Sequence, residues 1–311
     1  MIQLEISDLR VLFPTDDGLV KATNGVDLQI EESENLGLIG ESGSGKTVLG
    51  MAILRLLPKD VRVTGEVRFN GQDLLTLREE EMRRVRGKEI VMILQNPSSA
   101  LNPAFTIGNQ IEEVLRIHEG LDARSARERV VELLKRVKIT DASRRAKDYP
   151  HQYSGGMKER AMIAMALASD PALIIADEPT KGLDVTVKRE ILNMLKEVTE
   201  RKSMLFITHD LAAAAEICGR IAVMYAGELL EIAKTEELLN DPLHPYTKGF
   251  LGALPSRGLT PIRGTCPSLI GLPAGCKFHP RCNDAMEICR MEHPPMVKRD
   301  DGRQVRCFLY A

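Results

Sequence analysis

The sequence predicts an α/β protein with a mixed sheet at its core, an antiparallel β region at its start and an inserted helical block. Three observations lead to this fold class. Short apolar strands alternate with helical patterns over residues 173–225, which is typical of a parallel sheet with helices on both faces. Residues 2–30 show the period of strands around a turn at residues 16–18. Residues 97–169 show the period of helices.

The predicted elements follow in order along the chain. A strand over residues 36–39 precedes a glycine-rich turn and a helix that extends to residue 57. Residues 61–70 form a hairpin strand closed by Asn70-Gly71, and residues 89–94 form a short buried strand. The remaining pattern predicts strands over 173–176, 204–208 and 220–225 and helices over 185–198 and 211–217.

Shifts in composition divide the chain into three predicted regions. Residues 1–254 form one domain, which includes the helical block as a subdomain at 97–169. Prolines and glycines recur after Asp241-Pro242, and a linker is expected at residues 255–272. A small tail at residues 273–311 contains four of the six cysteines. In a reducing cytosol, such a group indicates a metal site more than a pair of disulfides.

Charge and hydropathy restrict the class of protein. The 311 residues carry a net charge of −2, so no general basic field would attract anionic lipid, and nucleic acid is not an expected partner. No apolar stretch reaches the roughly 18–20 residues of a membrane-spanning helix, and the N-terminal residues lack the features of a signal peptide. We therefore expect a protein of the cytosol, or one that attaches to a membrane through other chains.

Residues 40–47 read Gly-Glu-Ser-Gly-Ser-Gly-Lys-Thr, a complete phosphate loop in the required context of strand, turn and helix. The glycines let successive backbone N–H groups point at one anion, and the following helix adds its positive N-terminal end. Lys46 can reach the β- and γ-phosphates, and the Thr47 hydroxyl can ligate Mg²⁺. The sequence therefore predicts binding of a nucleoside triphosphate by Gly40, Ser42, Gly43, Ser44, Gly45, Lys46 and Thr47.

Two further segments carry residues suited to nucleotide chemistry. The apolar strand at residues 173–176 leads into Asp177, which can hold Mg²⁺ through water, and Glu178, which can orient or deprotonate the attacking water. Ser154-Gly155-Gly156 opens an apolar helix and offers a second anion site at a helix N-terminus. Alone, this second segment is weak evidence, because Ser-Gly-Gly is also common in caps and loops.

These motifs, in their order along the chain, resemble an ABC-type ATPase. The order is the phosphate loop, Gln95, Ser154-Gly155-Gly156, Asp177-Glu178, Gly182-Leu183-Asp184 and His209. The resemblance implies the ABC-type P-loop ATPase fold and a head-to-tail dimer of nucleotide-binding domains. Each ATP is then held by the phosphate loop of one chain and the Ser-Gly-Gly helix of the other.

The resemblance also implies a role for each matching residue. Phe13 is similar to the aromatic residue that stacks on adenine, although a core phenylalanine is an alternative. Gln95 is similar to the glutamine that contacts Mg²⁺ and the lytic water, although a polar strand cap is an alternative. Asp184 resembles the residue that organises the dimer interface, and His209 resembles the histidine that contacts the γ-phosphate. With Glu178, these residues predict an ATP hydrolase that uses Mg²⁺.

Three segments resemble the D-type ATPase subunit of dipeptide and oligopeptide importers: residues 40–48, residues 95–103, and residues 241–247 with 269–276. The resemblance implies an F-type ATPase partner, two membrane permeases and, indirectly, an extracellular solute-binding protein. It places the chain peripherally at the cytoplasmic face of the membrane. Relatives of this architecture import peptides, nickel or β-linked oligosaccharides such as β-glucosides. The chief rival is a soluble ABC ATPase; a non-hydrolysing scaffold is disfavoured by Glu178 and His209.

The cysteine tail reads Cys276-x5-Cys282-x6-Cys289-x17-Cys307. These spacings fit none of the common zinc patterns, and four thiolates suit zinc or a [4Fe–4S] cluster equally. From the residues alone, a cluster, a structural zinc and free thiols all stay open. The importer resemblance implies a [4Fe–4S] cluster on these four cysteines. Cys218 is expected in the core, and Cys266 is expected to take no part.

Overall fold

Contacts between residues divide the chain into two compact units. The first unit consists of residues 1–76 and 207–311, and the second of residues 77–206. The structure is a computed structural model that describes residues 1–255 and 257–311. Within these residues, no helix combines the length and the apolar character that crossing a membrane requires.

Within the described part of the chain, twelve strands form the sheets of the two units. In chain order they are β1 (Ile2–Thr15), β2 (Gly18–Glu31), β3 (Asn35–Ile39), β4 (Arg62–Phe69), β5 (Gln72–Asp73), β6 (Ile90–Ile93), β7 (Leu173–Asp177), β8 (Ser203–Thr208), β9 (Arg220–Tyr225), β10 (Glu228–Lys234), β11 (Val297–Lys298) and β12 (Gln304–Val305).

The α-helices are concentrated between the sixth and seventh strands. In chain order they are α1 (Lys46–Ile53), α2 (Glu79–Val85), α3 (Pro97–Ala100), α4 (Ile107–His118), α5 (Ala123–Arg136), α6 (Ala142–Arg145), α7 (Gly155–Ala166), α8 (Val185–Val198), α9 (Leu211–Ile217), α10 (Thr235–Asn240), α11 (Pro245–Gly252) and α12 (Ile288–Met291).

The first unit contains an antiparallel sheet and a mixed sheet. The antiparallel sheet has the order β2-β1-β4-β5, and β1 and β2 form a long hairpin in which Thr15 lies opposite Gly18. In the mixed sheet the order is β11-β12-β10-β9-β3, with β3 parallel to β9 and β10 antiparallel to it. Strand β3 is almost wholly buried, which fits its apolar sequence. It delivers the chain directly into residues 40–47.

The second unit combines parallel strands with a group of helices. Strands β6 and β7 run parallel, with Ile93 opposite Ala176, and β7 is buried throughout. Helices α4 and α5 begin where the Thr106 hydroxyl and the Asp122 carboxylate accept backbone N–H hydrogen bonds, as N-cap residues do. Each helix buries one apolar face, which accounts for the helical period of the sequence.

The predicted fold class is confirmed, and several predicted bounds match the structure. The helices at 185–198 and 211–217 and the strand at 220–225 have the predicted bounds. The hairpin around residues 16–17 and the strand closed by Asn70-Gly71 are also present. The sequence pattern did not predict β10, α2, α10, α11, α12 or the short strands of the tail, and α1 ends at Ile53 instead of residue 57. The domain bounds at 254 and 272 stay predictions.

Candidate functional site

The phosphate loop lies between β3 and α1 in the first unit. Lys46 is buried, and its Nζ donates hydrogen bonds to the backbone oxygens of Gly40 and Glu41 at 2.8 and 2.9 Å. Lys46 therefore folds back over the loop. Ser42 and Thr47 are exposed, whereas Ser44 is fully buried. The loop thus holds a cation at its centre and presents hydroxyl groups at its surface.

Gly45 shows why this loop needs glycine. Its φ of +104° lies in the left-handed region, which residues other than glycine rarely adopt. A Cβ atom built at Gly45 would lie 2.0 Å from the backbone oxygen of Ala22, and a Cβ at Gly40 would lie 2.1 Å from the backbone oxygen of Met224. Both glycines are therefore required by close backbone packing as well as by the curvature of the loop.

Two more predicted residues lie in the first unit. Phe13 is half-buried on β1, opposite Val20 of β2 in the antiparallel sheet. It therefore keeps part of its ring accessible for stacking. His209 follows the end of β8 and is exposed, just before Asp210, which caps α9 by accepting a hydrogen bond from the Ala213 N–H at 3.1 Å. This cap fixes the backbone turn that presents His209.

The carboxyl ends of β6 and β7 place three predicted residues at one edge of a sheet. Gln95 follows β6 by two residues and is exposed, and Asp177 ends β7 and is buried. Since these strands are parallel neighbours, both residues lie at the same edge. Glu178 has a φ of +50°, a conformation that is uncommon and costly for a residue with a side chain. Such strain is found more often at functional sites than elsewhere.

Helix α7 begins at Ser154, whose Oγ accepts a hydrogen bond from the Met157 N–H at 3.3 Å. Ser154 and Gly155 are exposed at the N-terminus of this helix of 12 residues. A Cβ atom at Gly156 would lie 2.7 Å from Val187 Cγ1, so Gly156 permits close approach of α8. The exposed backbone N–H groups at this end of α7 are available to an anion.

Asp184 acts within the second unit as a helix cap. Its Oδ1 accepts hydrogen bonds from the backbone N–H groups of Thr186 and Val187 at 3.0 and 3.1 Å, which starts α8. Next to it, Val185 is 83% exposed, which is unusual for a large apolar side chain. The segment therefore presents an apolar side chain at the surface beside a fixed carboxylate.

One residue of α7 was missed by the sequence analysis. Glu159 is buried, and burial raises the pKa of its carboxyl group to about 8. The carboxyl group is therefore largely protonated at neutral pH. No predicted role covers this residue, and the local sequence gave no signal because charged residues alternate with apolar ones along most of the helical block.

The four cysteines of the tail line one small cavity in the first unit: Cys276, Cys282, Cys289 and Cys307. All four are buried and none forms a disulfide. Burial raises the pKa of the Cys276 thiol to about 11 and raises the pKa values of Cys282 and Cys307. Without a cation, these thiols are therefore protonated at neutral pH. Across residues 1–255 and 257–311, no group of three or more His, Cys, Asp or Glu side chains is placed to hold a metal ion.

The other two cysteines and one of the two tail histidines do not line this cavity. Cys218 is buried at the end of α9, as expected for a core residue, and its burial raises the pKa of its thiol. Cys266 is half-buried and lies outside the cavity of the four cysteines. His279 also lines that cavity, with its Nδ1 2.8 Å from the Cys276 backbone oxygen. His293 Nε2 lies 2.9 Å from Glu228 Oε2 and does not line the cavity.

Comparison with known proteins identifies relatives of this chain. The model of the family described as "ABC transporter" matches residues 23–181, and the one described as "Oligopeptide/dipeptide transporter, C-terminal region" matches residues 230–289. A putative peptide import ATP-binding protein of Brucella abortus is 45% identical over 98% of this chain and 94% of its own length. The oligopeptide transport ATP-binding protein OppD of Salmonella typhimurium is 44% identical over 99% and 93%.

A solved structure shares the fold. It is the dimeric structure of an ATP-binding cassette in a post-hydrolysis state, bound to ADP and Pi, and it aligns with a TM-score of 0.67 and 28% identity. The alignment covers 75% of this chain and 98% of that one. The family match, the two relatives that align with nearly the whole chain and this shared fold together establish one conclusion. The chain belongs to the ABC transporter family of ATP-binding cassettes, which are ATP hydrolases.

Proposed function

We propose that this chain is the ATP-hydrolysing motor subunit of an importer of di- and oligopeptides. The observation that carries this proposal is the similarity of nearly the whole chain to peptide import ATP-binding proteins, including its C-terminal region. Nickel and β-linked oligosaccharides are the alternative cargoes. A soluble ABC ATPase lacks support from these relatives, because their names describe peptide import or oligopeptide transport.

Within that function, each predicted residue has a distinct role. Residues 40–47 bind the triphosphate, with Lys46 on the β- and γ-phosphates, and Phe13 stacks on adenine. Mg²⁺ supplies charge neutralisation on the phosphates when it is bound, and Thr47, Gln95 and Asp177 would hold it. The exposed Thr47 hydroxyl and the Asp177 carboxylate are oxygen donors of the kind Mg²⁺ prefers.

Hydrolysis needs a group that handles the attacking water. We assign this role to Glu178, whose backbone has the uncommon φ of +50° that is typical of functional sites. Gln95 orients the same water, and His209 donates a hydrogen bond to the γ-phosphate. These three residues make up the proposed catalytic group, and all of them act by positioning and electrostatics, as phosphoryl transfer requires.

A head-to-tail dimer completes the proposed site. Ser154 and Gly155 are exposed at the start of α7, so this helix N-terminus is open to a γ-phosphate bound by another subunit. Val185 is 83% exposed beside Asp184, and an apolar side chain of this kind suits an interface between subunits. We propose an F-type ATPase subunit as the natural partner.

A groove in the second unit is suited to a permease. It has a volume of about 1000 Å³ and is lined mainly by residues of α4 and the segment before it. Phe105 and Ile117, which are 51% and 68% exposed, provide apolar contacts, and Glu113 and Arg116 provide charges at its rim. We propose that each of two permeases inserts a cytoplasmic helix into such a groove, which keeps the chain at the cytoplasmic face of the membrane.

The cargo is tested by uptake in cells. A chromosomal Lys46→Ala substitution should abolish uptake of a labelled tripeptide, because the loop loses its only lysine contact to the phosphates. Uptake of ⁶³Ni²⁺ and of a labelled β-glucoside should stay at the parent level. A loss confined to nickel or to the glucoside would replace the peptide assignment, and normal uptake of all three would contradict a role in their import.

We further propose that the cysteine cavity binds a [4Fe–4S] cluster. Four cysteine side chains line one cavity, and four thiolates are the usual ligand set of such a cluster. The number and type of the donors therefore fit the group, and loading would move these side chains, since in the described residues they are not placed to hold a metal ion. Because burial raises the pKa values of the Cys276, Cys282 and Cys307 thiols, loading must release protons from these three side chains.

The cluster is tested by colour and metal content. Protein purified without oxygen should be brown and contain about four irons per chain, as a cubane on four cysteines requires. Replacing any one of the four cavity cysteines by Ser should bleach it, whereas the controls Cys218→Ser and Cys266→Ser should leave the colour unchanged. A colourless preparation that contains one zinc per chain would overturn the cluster and leave a structural zinc.

A further inference from the structure

The tail contributes a charged side chain directly to the phosphate loop. Arg281, next to Cys282, is only 7% exposed at its side chain. Its Nη1 donates to both carboxylate oxygens of Glu41, at 3.0 and 3.1 Å. Glu41 is the second residue of the phosphate loop, and its side chain is 27% exposed. A residue 240 positions away in sequence thus pairs with the loop itself.

Arg281 is fixed from both sides. Its Nε donates to the Arg263 backbone oxygen at 3.0 Å, and Arg263 Nη2 donates in return to the Cys282 backbone oxygen at 2.7 Å. Its guanidinium also lies 5.6 Å from the centre of the Tyr225 ring. The position of the guanidinium is therefore set by the fold of the tail and not by Glu41 alone.

Glu41, the other member of this ion pair, is also held in place. The Glu41 N–H donates to the Tyr246 hydroxyl at 3.1 Å, and the Glu41 backbone oxygen accepts from Lys46 Nζ at 2.9 Å. Tyr246 is fully buried and packs with Tyr225 and with Phe278 of the tail, at ring-centre distances of 4.7 and 5.4 Å. Glu41 is therefore held where its charge acts on the loop.

The charge of Glu41 opposes the function of the loop. Residues 40–47 must attract a triphosphate of about four negative charges, and a carboxylate within the same loop repels it. A partly buried charge is also screened little by salt ions when it is unpaired. Arg281 removes this conflict, because its Nη1 contacts both carboxylate oxygens and the guanidinium carries the opposite charge.

We propose that Arg281 is a positioning residue of the nucleotide site: it neutralises Glu41 so that the phosphate loop can accept ATP. This inference rests on the proposed role of residues 40–47. The cysteine tail thereby becomes part of the ATP site of its own chain. Nucleotide affinity should depend on the charge balance between Arg281 and Glu41, and not merely on the presence of the contact.

The test measures the dissociation constant of MgATP for the full chain and its variants. Arg281→Gln should weaken binding by about tenfold or more, because it leaves Glu41 unpaired. Glu41→Gln should bind at least as tightly as the parent chain, and the double variant Glu41→Gln/Arg281→Gln should bind like Glu41→Gln. Arg281→Lys should retain most of the affinity.

Arg303→Gln is the matched control, since Arg303 ties the same tail to Asp241 without touching the loop. It should bind MgATP like the parent chain. If Glu41→Gln alone weakens binding as much as Arg281→Gln, or if the double variant is not restored, the pair is only a structural tie and the proposal is wrong. If Arg281→Gln does not fold, weaker MgATP binding by Glu41→Gln than by the parent chain would by itself overturn the proposal. Lys46→Ala separately checks the loop: continued ATP binding by that variant would instead reject the proposed role of residues 40–47.

Discussion

Glu178→Gln is expected to retain MgATP binding and to lose hydrolysis. The substitution removes the proposed base, while the phosphate contacts of residues 40–47 stay in place. Loss of a general base lowers a rate typically by about 10² to 10⁴. The amide keeps the size of the side chain, so the strained backbone at φ +50° has no new cause to relax. Steady-state phosphate release and equilibrium nucleotide binding, measured on the same preparation, separate the two effects.

The control for this substitution is Glu200→Gln. Glu200 lies in the same unit, is exposed and has no proposed role, so the same change of charge there should leave turnover at the parent rate. A further expectation is that Glu178→Gln accumulates a closed dimer in the presence of MgATP, visible by size-exclusion chromatography. Hydrolysis at the parent rate by Glu178→Gln in the assembled complex would remove Glu178 from the catalytic group.

The sequence predicted those elements whose pattern is local. Helix α8 and helix α9 have the predicted bounds because each begins at an aspartate that caps the helix and continues with a clear apolar period. Strand β10 was missed because its sequence, Glu-Leu-Leu-Glu-Ile-Ala-Lys, has a pattern that suits a helix as well as a strand. Its pairing with β9 decides the conformation, and pairing is not a local property.

In the candidate site too, local segments could be predicted from the sequence and long-range contacts could not. The phosphate loop and the end of β7 are contiguous segments, so their residue types could be recognised directly. The contact between Arg281 and Glu41 joins residues 240 apart, and no spacing rule connects them. The spacing of the four cysteines likewise did not indicate that they line one cavity, because the loops between them could close in several ways.

Ser154→Arg is expected to abolish turnover of the dimer without weakening MgATP binding to the isolated chain. In the proposed dimer, Ser154 meets the nucleotide of the opposite subunit, so a long cationic side chain there obstructs closure. Loss of such a preorganised donor site lowers turnover by about 10² to 10³. ATPase assays of the assembled complex and nucleotide binding by the isolated chain are the two measurements.

Ser154 also caps α7, and this second role must be separated from the first. Removing the N-cap hydroxyl of Ser154 costs about 1 kcal/mol of helix stability. Ser154→Ala removes the same hydrogen bond to the Met157 N–H, so it reports the cost of the cap alone. Ser143→Arg adds the same charge at an exposed position of α6 and should leave turnover unchanged. A large loss of nucleotide affinity in the isolated Ser154→Arg chain, beyond that of Ser154→Ala, would place Ser154 at the nucleotide of its own chain and contradict the head-to-tail arrangement.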